Sequence, residues 1–339
     1  MSSKSNSPWR DVRSWLPGLL ISVVALLFVL KFINWEEFSL ALTAMRPANL
    51  MLAIVLVLAA LVTRSLCWRT LMGLKTSLRD TFFILNIGYL LNTIFPLRAG
   101  EAGRAILMGR KTGLGTFYIL STIIIERAYD LAIAAGMLLS TLPFVLGMDW
   151  ARSVAYITLS MVISGLATLF IIARNRDRVK IWLEKLGKRW PIFNRLAIPK
   201  TETLIDGLGA LTQPKLFFLS VFWIAMSWLL YVITYFVLLL PIAPQSPFWW
   251  ALFGNSAVAF GVAIPSAPAG IGVWEASTVG ALSLLGIAPS ASLAFALLHH
   301  LIGIAISGVL GLVGLLREGR SISALLREIR GREAVSIKG

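Results

Sequence analysis

Charged side chains interrupt an apolar stretch of this chain at Glu126, Arg127 and Asp130. Ionisable residues inside a membrane-spanning segment are rare and usually mark ion pairs, substrate pathways or proton relays. Glu126 and Asp130 would share a helix face, and Arg127 and Asp130 have the spacing of a helical ion pair. Two interpretations follow. Either an Arg–Asp pair clamps two packed spans, or Glu126 or Asp130 is the counter-charge to an arginine in a polar cavity, where a proton-linked step would also fit.

Two arginines flank a Pro/Gly break at residues 96–104. If a helix over 101–111 follows the turn at Gly100, Arg98 lies just before its N-terminus and Arg104 lies one turn inside. Free backbone N–H groups and the helix dipole favour an anion there, and arginines add bidentate phosphate contacts. The alternatives are that the arginines anchor the segment at the cytoplasmic interface, and that Glu101 is a helix cap.

A second break, at residues 265–275, is almost free of charge. Its glycines allow backbone conformations and close approaches that other residues do not. Glu275 is either a cap for the helix that follows or a lone buried carboxylate facing a cavity. The candidate headgroup contacts of this break are Ser266, Pro268, Gly270, Gly272 and Glu275.

Three further residues are weaker candidates for the same site. Adjacent His299 and His300 would point about 100° apart on a helix, so a shared metal site is not expected. A histidine that packs among other side chains is the commoner case, and a headgroup contact by His299 or His300 is the alternative. Arg64 and Arg69 are expected to snorkel towards the interface, although Arg64 is deep enough to reach a cavity.

The composition indicates an integral membrane protein. Of 339 residues, 58% are hydrophobic and 14% are charged, whereas a soluble domain has about 25% charged residues. The net charge of +15 does not predict nucleic-acid binding, because the basic residues lie between and beyond the apolar segments, as topology signals do. A single cysteine, Cys67, excludes an internal disulfide, and we expect no metal, cofactor or catalytic nucleophile.

The hydropathy pattern predicts an all-α polytopic fold with about six full spans. These lie at roughly 16–33, 48–72, 115–142, 151–173, 215–240 and 290–315. Basic loops orient them with both termini in the cytoplasm. A full crossing at 80–96 would place Arg98, Arg104, Arg110 and Lys111 outside, which the usual cytoplasmic location of basic residues disfavours. We therefore predict that 80–112 is a re-entrant hairpin. The charges of the loops likewise predict a re-entrant hairpin at 248–288, entering from the opposite face. Eight full crossings are the alternative.

The resulting domain prediction is an inverted repeat, the arrangement that builds many secondary transporters around a site at the midplane. A cytoplasmic segment 1–15 precedes a transmembrane domain 16–316, and a basic tail 317–339 follows. Half one is 16–173, half two is 215–316, and a basic cytoplasmic linker, 174–214, joins them. Within the linker, residues 174–200 hold nine Lys or Arg and suit an amphipathic helix on an anionic leaflet; a protein partner is the alternative.

The segments 96–104, 126–130 and 268–275 together resemble the lysylphosphatidylglycerol synthase transmembrane region, a flippase-like family. The likeness extends from about Trp15 to Leu316, with Ala267 and Ala269 at positions where members often have glycine. The resemblance implies a bacterial or archaeal cytoplasmic-membrane protein that handles lipids. Because the chain ends shortly after its last predicted span, we expect a stand-alone member without an aminoacyl-transferase domain.

The sequence therefore favours a flippase or scramblase that binds an anionic lipid headgroup between two broken helices. The lipid would be an anionic phospholipid, a polyprenyl-phosphate-linked lipid or a glycolipid. The alternatives are a membrane partner of a lipid- or glycan-modifying enzyme and a lipid-linked glycosyltransferase. A homo-oligomer is compatible with the sequence.

Overall fold

A computed structural model describes residues 20–95, 99–146, 149–189, 198–264 and 266–319. Every regular element in these ranges is a helix, which confirms the all-α prediction. The predicted segment 1–15 and most of the tail 317–339 lie outside the described residues.

Thirteen α-helices occur in the described part of the chain. They are α1 (Leu20–Leu30), α2 (Trp35–Ala44), α3 (Pro47–Leu71), α4 (Leu78–Ile94), α5 (Ala99–Thr112), α6 (Thr116–Leu146), α7 (Asp149–Arg174), α8 (Arg176–Arg189), α9 (Ile198–Gly207), α10 (Pro214–Leu239), α11 (Trp249–Gly261), α12 (Val273–Leu284) and α13 (Pro289–Arg317). Short 3₁₀ turns at Leu208–Thr212 and Pro268–Gly270 precede α10 and α12.

Four of these helices, α3, α6, α10 and α13, are each long and apolar enough to cross a membrane. They match four of the six predicted spans. The prediction at 151–173 corresponds to α7, which becomes a fifth span if it is joined to the first part of α8, bent by 84° from it. The described part of the first predicted span is the shorter α1. The protein is therefore a multi-pass membrane protein.

Local sequence fixes where these helices begin. Pro47, Pro214 and Pro289 stand in the first turn of α3, α10 and α13, where a missing N–H costs nothing and the fixed φ suits a helix. Ser77 caps α4 by accepting a hydrogen bond from the backbone N–H of Asp80 at 3.0 Å. The spans thus start where the chain leaves its short loops.

The helices on either side of each predicted break pack against each other as a hairpin. In the first hairpin (α4 and α5), a Cβ at Gly100 would lie 1.8 Å from the carbonyl oxygen of Gly88. Asn92 Oδ1 accepts a hydrogen bond from the Gly100 N–H at 2.8 Å. In the second hairpin (α11 and α12), a Cβ at Gly261 would lie 1.8 Å from Ser277 Oγ. Small residues therefore let both pairs of arms pack closely.

The packing pattern is the same in the two halves when α3, α4, α5 and α6 are exchanged for α10, α11, α12 and α13. α3 packs on α10, α4 on α13, and α11 on α6. The equivalent helices α3 and α10 are antiparallel: Asn49 Nδ2 donates to the Val237 carbonyl at 2.8 Å, and Ser227 Oγ donates to the Ala60 carbonyl at 3.2 Å. The 3₁₀ turn Pro268–Gly270 of the second break lies against α4, so the second break touches the first hairpin.

Candidate functional site

A buried charge network lies between α3, α5 and α6. Its centre is Glu126, whose side chain is fully buried. Arg64 of α3 donates from Nε to Glu126 Oε1 at 3.0 Å and from Nη2 to Asp130 Oδ2. The i and i+4 carboxylates of α6 therefore hold one arginine between them.

A second arginine reaches the other oxygen of Glu126. Arg104 is only 2% exposed, and its Nη2 lies 3.0 Å from Glu126 Oε2. The guanidinium stands over the ring of Trp68, 4.9 Å from its centroid, and Trp68 is itself held by a hydrogen bond from Nε1 to Thr122 Oγ1 at 3.0 Å. Arg104 Nε and Nη1 are buried and have no hydrogen-bond partner among the described residues.

The third arginine of the network, Arg127, connects the first hairpin to α6. Its Nε lies 3.0 Å from Glu101 Oε1 on α5, and its Nη1 lies 3.1 Å from Asp130 Oδ2. Trp228 of α10 donates from Nε1 to Asp130 Oδ1 at 3.0 Å. The network thus joins three arginines to three carboxylates and spans both halves of the chain.

These contacts settle several sequence predictions about geometry. The Arg127–Asp130 pair forms, and Glu126 is the counter-charge to Arg104. Snorkelling is wrong for Arg64, which points inward because two buried carboxylates stabilise its charge there. Arg69 donates instead to the Thr76 carbonyl at 2.7 Å, in the loop that follows α3. Arg98 lies outside the described residues.

The second break has its own buried pair. Glu275 Oε2 accepts a hydrogen bond from the Gly272 N–H at 2.6 Å and so caps α12. Glu275 Oε1 lies 2.7 Å from His300 Nδ1 on α13. The carboxylate is therefore both a cap and a buried charge, and it is not a lone one. Pro265 lies outside the described residues.

The other candidates at this break have distinct positions. Ala269 lies between α11 and α12 and has a φ of +60°, in the left-handed region. Gly270 and Gly272, which follow it, also have positive φ. The N–H of Ala267 donates to Ser22 Oγ of α1 at 2.8 Å, and a Cβ at Gly272 would lie 2.3 Å from the Ser22 carbonyl oxygen. Helix α1 therefore packs directly on the second break, next to Ser266 and Pro268.

The two histidines have different partners. His299 packs edge-on against Tyr235 and Trp274, with ring centroids 5.5 Å apart in both pairs. The His300 ring stacks on Trp274 at 4.7 Å and joins Glu275 to the break. His299 is the packing histidine and His300 is the one at the site.

The two hairpins are tied to the span that follows them in the same way. Glu101, in the first turn of α5, pairs with Arg127 of α6, and Glu275, in the first turn of α12, pairs with His300 of α13. The separation along the chain is 25 residues for the second pair and nearly the same for the first. Equivalent positions thus carry equivalent contacts.

Sequence reasoning missed the three tryptophans of the site, Trp68, Trp228 and Trp274. Trp68 and Trp228 lie in long apolar spans in which nothing marks an indole as a hydrogen-bond donor. It also missed the Glu275–His300 pair. The sequence does contain a pattern that could have predicted this pair, because Glu101 and Arg127 in the other half are separated by nearly the same number of residues.

Comparison with known proteins identifies relatives among membrane proteins. The family model described as lysylphosphatidylglycerol synthase TM region matches residues 15–311. The chain is similar to a glycosyltransferase, AglD, of Haloferax volcanii, at 25% identity over 93% of this chain and 57% of that protein. It is also similar to UPF0104 membrane proteins of Methanothermobacter thermautotrophicus, at 27% identity over 55% of this chain and 54% of that protein, and of Methanocaldococcus jannaschii, at 23% over 90% and 95%.

The chain spans little more than half the length of the first two relatives, and nearly all of the third. The family match covers most of the chain and contains both hairpins, the charge network of α6 and the Glu275–His300 pair. The chain therefore belongs to the lysylphosphatidylglycerol synthase TM region family.

Proposed function

We propose that the protein moves lipids with an anionic headgroup across the membrane, and that the headgroup binds beside Arg104. The observation that carries this proposal is the incomplete pairing of a buried arginine. Arg104 shares its carboxylate, Glu126, with Arg64, and two of its nitrogens have no partner among the described residues. A buried guanidinium with unused donors is costly unless an acceptor reaches it, and phosphate oxygens match its geometry.

The position of Arg104 supports transport rather than simple packing. It lies on the returning arm of the first hairpin, one turn after the break. The antiparallel packing of α3 on α10 and the exchange of equivalent contacts between halves support an inverted repeat, and both hairpins would then be re-entrant. Broken helices of this kind place substrate sites near the midplane of secondary transporters. The orientation with both termini in the cytoplasm of an inner membrane is part of the same proposal.

A translocation assay tests this function. Purified protein in vesicles is expected to accelerate the movement of a fluorescent phosphatidylglycerol, followed by quenching from outside, relative to protein-free vesicles and to phosphatidylcholine. Arg104→Lys keeps the charge facing Glu126 but loses the planar fork, so we expect a loss of about tenfold, the size of one charged hydrogen bond.

Arg176→Gln is the control, because Arg176 is 56% exposed and pairs only with its neighbour Asp177 among the contacts described. It should translocate at the wild-type rate. The proposal is wrong if the wild-type protein does not accelerate the anionic lipid, or if a folded Arg104→Lys protein is as fast as Arg176→Gln.

A second candidate function comes from the relative named as a glycosyltransferase. The chain would then be part of, or a membrane partner to, an enzyme that modifies a lipid-linked sugar. Formation of a glycosylated lipid by the purified chain supplied with a nucleotide sugar and a polyprenyl phosphate would favour this candidate over transport.

A further inference from the structure

We propose that the second break holds a proton-binding site, formed by His300, Glu275 and the carbonyl oxygen of Ala269, and that release of the proton loosens the break. The proposal does not depend on which lipid the protein handles. It starts from hydrogen-bond chemistry at one imidazole ring.

Both ring nitrogens of His300 face acceptors. Nδ1 lies 2.7 Å from the Glu275 carboxylate, and Nε2 lies 3.0 Å from the Ala269 carbonyl oxygen. A neutral imidazole carries one N–H and can satisfy only one of them, whereas the imidazolium satisfies both. The two contacts are therefore the arrangement expected of an imidazolium at this site.

Loss of the proton has a defined structural consequence. The carboxylate is the stronger acceptor, so the remaining hydrogen stays on Nδ1, and the proton leaves from Nε2 to water. The Ala269 carbonyl then loses its donor. Ala269 is a non-glycine residue at φ of +60°, a conformation that persists only when its surroundings hold it. The 3₁₀ turn, which lies against α4, is thus the segment freed by deprotonation.

The titratable groups around His300 come from three helices. Glu275 lies on α12, His299 is the neighbour of His300 on α13, and Tyr235 of α10 packs against His299. The stacked Trp274 covers one face of the ring. Glu275 accepts hydrogen bonds from the Gly272 N–H and from His300, so a proton that leaves this site comes from the imidazole, the side chain type whose charge ordinarily changes between about pH 5 and 8.

Comparison with the first hairpin explains why only one half would respond to pH. The equivalent contact there is Glu101–Arg127, and an arginine does not lose its proton in this range. The carboxylates of the first network are no better placed to carry a proton, because Glu126 contacts Arg64 and Arg104 on its two oxygens. The geometry thus points to the second half as the proton-responsive one.

Cysteine labelling tests the site without a transport assay. Ser266→Cys reports on the break, in a background in which the buried Cys67 is changed to alanine, and Ser39→Cys on the exposed face of α2 corrects for the intrinsic pH dependence of thiols. We expect the ratio of maleimide labelling rates, Cys at 266 over Cys at 39, to rise about tenfold from about pH 5 to about pH 8, the factor for one hydrogen bond from a charged donor.

Three variants decide the cause of the rise. His300→Arg, which copies the first-half contact, should hold the ratio low at both pH values. His300→Gln and Glu275→Gln should both give a high ratio at both pH values. The proposal is overturned if the ratio is independent of pH with His300 and Glu275 present, or if it rises equally in His300→Gln. Because labelling needs no lipid movement, failure here and failure of the transport proposal are separate results.

Discussion

Replacing Glu126 with glutamine is expected to lower the free energy of unfolding by about 3 to 5 kcal/mol, the usual cost of leaving a buried charge without its partner. The carboxylate is fully buried and contacts Arg64 at 2.9 Å and Arg104 at 3.0 Å. Glutamine keeps the shape but removes the negative charge, so Arg104 loses this carboxylate while Arg64 keeps its contact with Asp130. Equilibrium unfolding in mixed detergent micelles measures the change.

Glu318→Gln is the matched control, because it removes a partly exposed carboxylate that lies 2.7 Å from Lys111. Exposed pairs contribute at most about 1 kcal/mol. The double variant Glu126→Gln with Arg104→Gln should recover part of the loss, since it removes the arginine charge that has lost Glu126, and the effects of neighbouring sites are not additive. If Glu126→Gln costs no more than Glu318→Gln, Glu126 does not organise the network.

The contacts of Glu126 also show how much of the site could be predicted from the sequence. Its depth within an apolar span, and the spacing of Arg127 and Asp130, predicted charged contacts on α6 from local geometry alone. The partner Arg104 was a candidate for another reason, its position one turn inside the helix that follows the Pro/Gly break. For Arg64 the sequence allowed either snorkelling or a position facing inward, because only tertiary packing places two carboxylates within its reach.

The hairpins were predictable for a different reason. Loop charges favoured a turn within residues 80–112 over a full crossing, and the Pro/Gly break indicated its position. The close approach of their arms was not predictable, because Gly88 and Gly100 are twelve residues apart and nothing local shows that they face each other. The Glu275–His300 pair was only partly predictable. The number of residues between its members is nearly the same as for Glu101 and Arg127 in the other half, but this repeat can be recognised only after the helices of the two halves are matched.

Gly100→Ala is expected to destabilise the first hairpin by about 3 kcal/mol, at the upper end of the range for overpacked positions. The added Cβ would lie 1.8 Å from the Gly88 carbonyl oxygen and 2.7 Å from Asn92 Oδ1. The nearer atom belongs to the backbone of α4, so the two arms must separate. That separation also removes the hydrogen bond from the Gly100 N–H to Asn92, which orients the start of α5.

Alanine substitutions at two other glycines are expected to change the stability in a different direction or by a different amount. Gly136 lies in α6 with nothing within 4 Å of an added Cβ, so Gly136→Ala should stabilise the protein by up to about 1 kcal/mol through helix propensity. Gly261→Ala should fall between the two, because its Cβ would lie 1.8 Å from Ser277 Oγ, which can rotate away, and 2.6 Å from Ser277 Cβ, which cannot, whereas Gly100→Ala meets the backbone itself. Thermal unfolding of the three variants should rank Gly100→Ala as the least stable and Gly136→Ala as the most stable. Equal stability of Gly100→Ala and Gly136→Ala would mean that the arms of the first hairpin do not pack face to face, and the placement of Arg104 beside Glu126 would lose its support.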